Sequence, residues 1–272
     1  GVPGVAKTLL ARLTARLIDA DFSRVQFTPD LMPSDVLGTT VFNMKTNEFD
    51  FHRGPVFANI ILVDEINRAP AKTQSALFEV MEERQITIDG MTYRMGDLYT
   101  ILATQNPVEQ EGTYKLPEAQ LDRFLMKITM SYPSLDEEVN ILERHHTNTS
   151  LVKLDNVVPA ITREELLSLR ALMGQVFVDR TLIQYIAMIV QQTRTSKAVY
   201  LGASPRASVA MLQSSKAYAL LQGRDFVTPE DIKFVAPFVL QHRLILTAEA
   251  EMEGYSPVKV TQRLIDRVEV PK

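Results

Sequence analysis

Short apolar runs alternate with amphipathic helical patterns over the first half of the chain. Residues 59–63 form a continuous apolar run, which predicts a strand buried on both faces of a parallel sheet. The other predicted elements of this half are strands at 25–28, 98–103 and 124–130, and helices at 8–20 and 71–83. Because strands alternate with helices, we expect βαβ units and an α/β fold with a parallel sheet.

Two segments interrupt this alternation. Residues 41–52 have an extended pattern around the turn residues Thr46-Asn47. Residues 86–94 alternate around Asp89-Gly90, a dipeptide that strongly favours a two-residue β-turn. We expect both segments to be small antiparallel hairpins added to the α/β core.

Beyond about residue 150 only helical patterns occur. Helix starts are marked there by capping signals, at Thr162 with Glu165, Ser204-Pro205, Thr228-Pro229 and Ser256-Pro257. We therefore predict an α/β domain at residues 1–150 and a helical domain at residues 151–272.

Composition narrows the protein class. The 272 residues are 46% hydrophobic and 23% charged, as in ordinary globular proteins, and the net charge of -4 disfavours non-specific nucleic-acid binding. The absence of cysteine excludes a disulfide scaffold and a cysteine-ligated zinc site. No apolar run approaches the ~20 residues of a membrane span, so we expect a soluble, cytoplasmic protein. The four histidines lack the spacing of metal ligands, and we interpret them as structural: His52, His145, His146 and His242.

The chain opens on a segment with the layout of a Walker A phosphate-binding loop. The predicted nucleotide-binding residues are Gly1, Val2, Pro3, Gly4, Val5, Ala6, Lys7, Thr8 and Leu9. Backbone N–H groups of such a loop surround the phosphates, and the next helix presents its positive end to them. We expect Lys7 to reach the β- and γ-phosphates and the Thr8 hydroxyl to hold Mg²⁺.

Ala6 departs from the usual pattern, which has glycine before the lysine. Alanine is the smallest replacement, and it needs a negative φ to be free of strain. Taken alone, the segment could also be a Gly/Pro turn before an ordinary helix.

Two adjacent carboxylates, Asp64 and Glu65, follow the apolar run at 59–63. Buried acids are costly unless they are paired or bound to a cation, and at the carboxyl end of a parallel strand they face the ligand crevice. We expect Asp64 to hold Mg²⁺ through water, and Glu65 to orient and activate the attacking water. A solvated Asp-Glu turn is the alternative.

Asn106 follows the strand predicted at 98–103 and suits a group that contacts the γ-phosphate or the attacking water. Taken alone, it is better explained as a turn residue before Pro107. The loop, the acidic pair and Asn106 nevertheless follow one another in the order that a P-loop ATPase requires. It is improbable that all three occur in this order by chance, so the sequence favours a P-loop ATPase.

A P-loop fold places a strand immediately before its loop, whereas here the loop begins at Gly1. A fold without its central strand would contain a costly cavity. We therefore expect the natural protein to have upstream residues that supply this strand and part of the adenine pocket.

Longer segments resemble the MoxR family of AAA+ ATPases. They include Asp64-Glu65-Ile66-Asn67-Arg68 and Leu121-Asp122-Arg123-Phe124. The resemblance spans essentially the whole chain, because the matching segments extend into the helical region, at residues 57–59, 62–69, 72–77, 81–85, 116–124 and 202–206. In that family alanine is a familiar residue at the position of Ala6.

The resemblance implies roles that spacing alone does not assign. Arg123 resembles an arginine finger, which completes the site of a neighbouring subunit and contributes about 10³–10⁵ in rate; the alternative is a surface salt bridge with Asp122 or Glu118. Arg206 resembles a sensor-2 arginine directed at the γ-phosphate, the alternative being a solvated first-turn residue. Arg68 is a further candidate for a contact between subunits.

The resemblance also implies a fold and a function. We expect a three-layer P-loop (AAA+) core with a parallel sheet, followed by a small all-helical lid, and the hairpin at 86–94 as an insertion in the second helix of the core. ATP and Mg²⁺ would be the cofactors, and the expected assembly is a homo-oligomeric ring, a hexamer. The expected work is chaperone-like remodelling or maturation of protein complexes, often with a partner that carries a von Willebrand A domain.

Two alternatives stay open at this point. One is a nucleotide-gated assembly scaffold with little turnover, which the intact Asp64-Glu65 pair and Arg123 disfavour. The other is a DNA-directed AAA+ motor. The net negative charge of the chain and the lack of a recognisable DNA-binding motif disfavour this alternative.

Overall fold

In a computed structural model, which describes residues 4–105, 114, 116–147 and 154–270, the chain forms two compact units. The first unit comprises Gly1–Lys115 and Thr129–Leu167, and the second comprises Leu116–Ile128 and Ser168–Lys272.

The helices and strands are numbered in chain order. The helices are α1 (Lys7–Leu17), α2 (Pro33–Leu37), α3 (Ala71–Glu83), α4 (Glu118–Leu121), α5 (Leu135–His146), α6 (Arg163–Leu172), α7 (Arg180–Thr195), α8 (Pro205–Leu221), α9 (Pro229–Leu240), α10 (Ala248–Met252) and α11 (Pro257–Arg267). The strands are β1 (Phe22–Gln26), β2 (Gly38–Asn43), β3 (Glu48–Arg53), β4 (Ile60–Asp64), β5 (Gln85–Ile88), β6 (Met91–Arg94), β7 (Thr100–Ala103), β8 (Val199–Leu201) and β9 (Ile245–Leu246).

The first unit is built on a parallel sheet in the order β1-β4-β7. Every residue of β4 is buried, as the continuous apolar run at 59–63 predicts for a strand with a neighbour on each side. The helix α3 has the predicted bounds and buries Leu77, Phe78 and Val80. The α/β prediction for this part of the chain is confirmed, and it places the carboxyl ends of three strands at one edge of the sheet.

Both predicted hairpins are present in the first unit. β2 pairs antiparallel with β3, and β5 pairs antiparallel with β6. Asp89 and Gly90 connect β5 to β6 with φ of 51° and 78°, the positive values that a type I′ turn requires. The Thr40 hydroxyl donates to Asp89 Oδ2 at 2.6 Å, so the two hairpins are joined by a side-chain hydrogen bond.

The expected position of the 86–94 hairpin is wrong. β5 and β6 follow α3, and the chain turns into them through Arg84, whose φ of 50° ends that helix. The hairpin directly after the second helix is β2–β3, which begins where α2 ends at Gly38.

The second unit is a helical bundle with one short strand pair. Its core contains fully buried side chains from several helices, among them Tyr185, Ile189, Met211, Ile232, Leu240 and Ile265. The capping signals are confirmed at Ser204, which accepts from Arg206 N, and at Ser256, which accepts from Lys259 N. The antiparallel pair β8–β9 was not predicted, because two- and three-residue strands carry too few positions to show a period.

The compact units do not coincide with the predicted boundary between residues 150 and 151. Residues after that boundary bond to the end of α1: the Ala160 N–H donates to Leu17 O at 2.8 Å, and Arg16 Nε donates to Val157 O at 3.1 Å. The division between the units falls inside α6, between Leu167 and Ser168.

The strand predicted at 124–130 is wrong. This segment lies in the second unit up to Ile128, and the Lys127 N–H donates to Phe238 O in α9 at 2.9 Å. The side chain of Gln241 donates to the Lys127 carbonyl as well. At Lys127 a helix carbonyl and a side chain thus take the hydrogen bonds that a neighbouring strand would have taken.

Among the described residues, β7 pairs with β4 alone, and the expectation of an upstream strand stays a prediction. The described part of the chain contains no helix that is both long and apolar enough to cross a bilayer.

Candidate active site

A cleft of about 430 Å³ opens in the first unit where the strands β1, β4 and β7 end and α1 begins. It is lined by Gly4, Val5, Ala6, Lys7, Thr8, Arg24, Gln26, Asp64, Glu65, Thr104 and Gln105. The predicted phosphate loop and the predicted acidic pair therefore face the same space.

The loop uses left-handed backbone at two positions. Gly4 has a φ of 75° and Ala6 a φ of 57°, so Ala6 does not have the negative φ that it would need to be free of strain. Alanine in this region is strained, because its Cβ crowds the following carbonyl. Ala6 gives α1 no side-chain cap, and the helix begins at Lys7 with its positive end at the cleft.

Asp64 is buried and bonds to two neighbouring strands. Its Oδ2 accepts from Arg24 Nε on β1 at 2.6 Å, and its Oδ1 accepts from the Thr104 hydroxyl beyond β7 at 3.2 Å. The Asp64 side chain is only 10% exposed, whereas that of Arg24 is 48% exposed. The Asp64 carboxylate is therefore held at the cleft wall, whereas its cationic partner, Arg24, is half-exposed to solvent.

Glu65 adopts a left-handed conformation, with φ of 56° and ψ of 49°. Its N–H donates to the Thr104 hydroxyl at 3.0 Å, which anchors the turn to the neighbouring strand end. Its Oε2 accepts from Gln26 Nε2 at 2.7 Å and lies 3.2 Å from Arg68 Nε. Strained backbone held by several partners is typical of functional sites, and here it directs a carboxylate into the cleft.

Sequence reasoning missed Arg24, Gln26 and Thr104. The signal for the first two was available: polar side chains at positions i and i+2 of a strand lie on the same face. In the parallel register Gln26 is opposite Asp64, and Arg24 is opposite Leu62. Sequence spacing alone could not show which strand lies beside β4.

The predicted nucleotide-binding residues are brought together only in part. Gly4 to Thr8 line the cleft, while Leu9 lies on α1 and is not among the lining residues. Gly1, Val2, Pro3 and Asn106 fall outside the described residues.

Both predicted functional arginines belong to the second unit. Arg123 follows α4 and is exposed, and Arg206 lies in the first turn of α8. Arg206 Nη1 is 4.0 Å from Asp122 Oδ2, and Arg243 Nε donates to Asp122 Oδ1 at 2.9 Å. Asp122 is thus an ion-pair partner of both Arg206 and Arg243.

The donor set at the cleft fits Mg²⁺ bound together with phosphates. No group of three or more His, Cys, Asp or Glu side chains able to hold a metal occurs in the described ranges. Mg²⁺ characteristically takes one or two carboxylates and completes its shell with water and substrate phosphates. Asp64 and the hydroxyl-bearing Thr8, which both line the cleft, provide that arrangement.

Comparisons with known proteins identify the family of the chain. Residues 1–126 match the model of the ATPase family associated with various cellular activities (AAA), and residues 191–265 match the AAA lid domain. The chain is 48% identical to YeaC of Bacillus subtilis over 99% of its own length and 83% of that protein. It is 44% identical to the chaperone MoxR1 of Mycobacterium tuberculosis over 100% of its length and 73% of that protein. The chain belongs to the MoxR family of AAA+ ATPases.

A solved structure extends the agreement to the fold. The crystal structure of a candidate ATPase from Cytophaga hutchinsonii superposes with a TM-score of 0.90 at 43% identity, covering 100% of this chain and 84% of the other. This MoxR-family chain therefore has an AAA+ domain with a parallel sheet, followed by a helical lid.

Proposed function

We propose that this MoxR-family protein binds ATP with Mg²⁺ in the cleft of the first unit and hydrolyses it. The observation that supports the proposal is the placement of Asp64 and Glu65 in one cleft with the loop from Gly4 to Thr8. A helix N-terminus with a lysine attracts phosphate, and a carboxylate beside it can take a proton from water.

Each residue has a distinct part in this proposal. The loop N–H groups and Lys7 bind and orient the phosphates, while Thr8 and Asp64 hold the metal. The metal supplies neutralisation of phosphate charge when bound. Glu65 orients the attacking water and accepts its proton, and the bond from Gln26 fixes the direction of the carboxylate.

The second unit contributes Arg123 and Arg206 in this proposal. Following the family resemblance, Arg123 acts on the site of a neighbouring subunit, so hydrolysis depends on a homo-oligomeric ring, for which we propose a hexamer. Arg206 acts on the γ-phosphate. Asn106 is proposed to contact the attacking water.

We propose that ATP hydrolysis drives chaperone-like remodelling or maturation of protein complexes. This proposal is supported by the relative MoxR1, which is named a chaperone. A protein with a von Willebrand A domain is the proposed type of partner, and the cytoplasm the proposed location. We propose no nucleic-acid partner, because the net charge is -4.

Turnover by two variants tests the mechanism. Glu65→Gln removes the proton acceptor, and we expect ATP hydrolysis to fall at least about 100-fold while a fluorescent ATP analogue still binds. Arg123→Ala is expected to lower turnover about 10³-fold or more, again with binding retained. Hydrolysis at the wild-type rate in both variants would show that the mechanism is wrong.

Matched controls come from exposed residues outside the cleft. Glu79→Gln on α3 and Arg180→Ala on α7 make the same chemical changes and are expected to leave turnover within twofold of wild type. A wild-type protein that binds the analogue and assembles without measurable hydrolysis would instead identify a nucleotide-gated scaffold.

A further inference from the structure

The guanidinium of Arg243 is buried in the second unit, three residues after α9 ends. Its side chain is only 2% exposed. Nε donates to Asp122 Oδ1 at 2.9 Å, and Nη1 donates to the carbonyls of Leu125 at 3.1 Å and Val239 at 2.5 Å. Nη2 donates to two further carbonyls, so every nitrogen of the guanidinium has an acceptor within the same unit.

The acceptors of Nη2 are the carbonyls of Asp122, at 3.0 Å, and Phe124, at 2.6 Å. These two residues flank Arg123 on both sides. One rigid guanidinium therefore fixes the backbone before and after Arg123, while the Arg123 residue itself is exposed. A planar fork with five donors suits this task, whereas the three donors of lysine do not have the same fixed geometry.

Asp122 extends the network to the start of α8. Its Oδ2 accepts from the Ser204 hydroxyl at 2.7 Å and lies 4.0 Å from Arg206 Nη1. The Ser204 hydroxyl in turn accepts from the Arg206 N–H at 3.1 Å as the cap of the helix. Asp122 thus joins the segment that carries Arg123 to the helix turn that carries Arg206.

Stability alone does not account for such a network. Burying an ion pair costs desolvation that its attraction barely recovers, and an apolar replacement of similar volume is often as stable. What an ion pair with many directional bonds does provide is a single geometry for the groups it holds.

We propose that Arg243, Asp122 and Ser204 are positioning residues that fix Arg123 in the geometry needed for hydrolysis. The inference rests on the proposed function, in which Arg123 acts on a neighbouring subunit. A displacement of about 1 Å at a catalytic group can lower turnover about 100-fold, and we expect that loss for Arg243→Lys. Binding of a fluorescent ATP analogue by this variant is expected to stay within twofold of wild type.

Mixed assemblies test whether Arg243 acts through Arg123. Arg243→Lys subunits keep Glu65, and Glu65→Gln subunits keep a correctly placed Arg123. A mixture of the two inactive variants is therefore expected to hydrolyse ATP at least about tenfold faster than either variant alone, because some junctions combine both intact groups. A subunit that is inactive because it is misfolded would not be restored by mixing.

The mixture of Arg123→Ala with Glu65→Gln is the reference. If hydrolysis is restored in this reference mixture but not in the Arg243→Lys mixture, the positioning role of Arg243 is overturned, while the action of Arg123 on a neighbouring subunit stands. No restoration in either mixture would overturn the action of Arg123 on a neighbouring subunit, and the positioning role with it.

Ser204→Ala tests the same network without removing a buried charge, and Ser256→Ala is its matched control. Both serines precede proline and cap a helix, but only the Ser204 hydroxyl also donates to Asp122. Each substitution should lower stability to a similar extent through the lost cap. Only Ser204→Ala is expected to lower turnover, by about tenfold. An equal effect of the two variants on turnover would overturn the proposal.

Discussion

Arg24 Nε donates to Asp64 Oδ2 across 2.6 Å, from one strand to the next, at the cleft that residues 4–8 of the phosphate loop also line. A guanidinium bound to one carboxylate oxygen reduces the negative charge that the carboxylate offers to a second cation. The half-exposed Arg24 side chain can move away, whereas the buried Asp64 cannot. Arg24 is thus placed to compete with a metal for the carboxylate that the proposed function assigns to Mg²⁺.

We predict that Arg24→Met lowers the Mg²⁺ concentration needed for half-maximal binding of a fluorescent ATP analogue. Because an exposed pair contributes about 1 kcal/mol at most, the expected shift is about fivefold. The measurement is a Mg²⁺ titration of binding, which requires no turnover. Arg12→Met, which replaces an exposed arginine on α1 outside the cleft lining, is expected to leave the titration unchanged. An unchanged or higher Mg²⁺ requirement in Arg24→Met would contradict competition at Asp64.

The strain at Ala6 predicts a stabilising substitution. An alanine in the left-handed region destabilises the fold by about 1–2 kcal/mol, and glycine at the same position avoids this strain. Glycine also has more conformational entropy in the unfolded chain, which offsets about 0.5–1 kcal/mol of that gain. Ala6→Gly should therefore raise the free energy of unfolding by roughly 0.5–1 kcal/mol in urea denaturation. Ala76→Gly, in the interior of α3, should instead lower it by about 1 kcal/mol. Loss of stability in both variants would argue against a strained Ala6.

Gly38 is expected to tolerate no side chain. Its φ is 108°, and an added Cβ would lie 2.3 Å from His52 O and 2.7 Å from Gly54 N, both backbone atoms. Gly38→Ala should therefore lower the free energy of unfolding by about 3 kcal/mol, from overpacking and backbone strain together. Gly90 separates the two causes, since its φ is 78° but no atom lies within 4 Å of an added Cβ. For Gly90→Ala we expect a loss of only about 1 kcal/mol, and equal losses in the two variants would exclude the clash.

The features that could be predicted from the sequence are those that depend on residues close to one another along the chain. The start of α3 at Ala71 directly follows Pro70, and the β5–β6 turn follows from Asp89-Gly90. The run at 59–63 predicts a buried strand because apolar residues on both faces admit few other solutions. The loop and the acidic pair were recognisable for the same reason: each has its chemistry in one short segment.

What the sequence could not predict depends on distant partners. The apolar segment at 124–130 satisfies the pattern of a strand, but its Lys127 N–H bonds to a carbonyl more than 100 residues later in the chain. The pairing of Arg24 with Asp64 needs the knowledge that β1 lies beside β4. Arg243 shows no motif at all, because its acceptors are mostly backbone carbonyls, which every sequence supplies.

His242 predicts how the stability of the second unit depends on pH. Its Nε2 lies 2.9 Å from Phe124 O, and burial, assisted by the charges of Arg243 and Lys127 and opposed by the Phe124 contact and Asp122, lowers its pKa from 6.5 to about 4. Between these values the unfolded chain binds more protons than the folded one. Stability therefore rises with pH through this window and is lost as pH falls from about 6.5 towards 4.

We expect acidification from pH 7 to pH 4 to lower the free energy of unfolding by about 3 kcal/mol through His242. This figure follows from the lowering of its pKa from 6.5 to about 4, at about 1.36 kcal/mol per pKa unit. Urea denaturation at pH 7 and at pH 4.5 measures it as the difference between wild type and His242→Gln. The variant should lose less stability on acidification than wild type, because glutamine does not titrate. His52→Gln, at an exposed position on β3, controls for the chemical change and should follow wild type. The same loss on acidification in His242→Gln and wild type would show that His242 does not set this dependence.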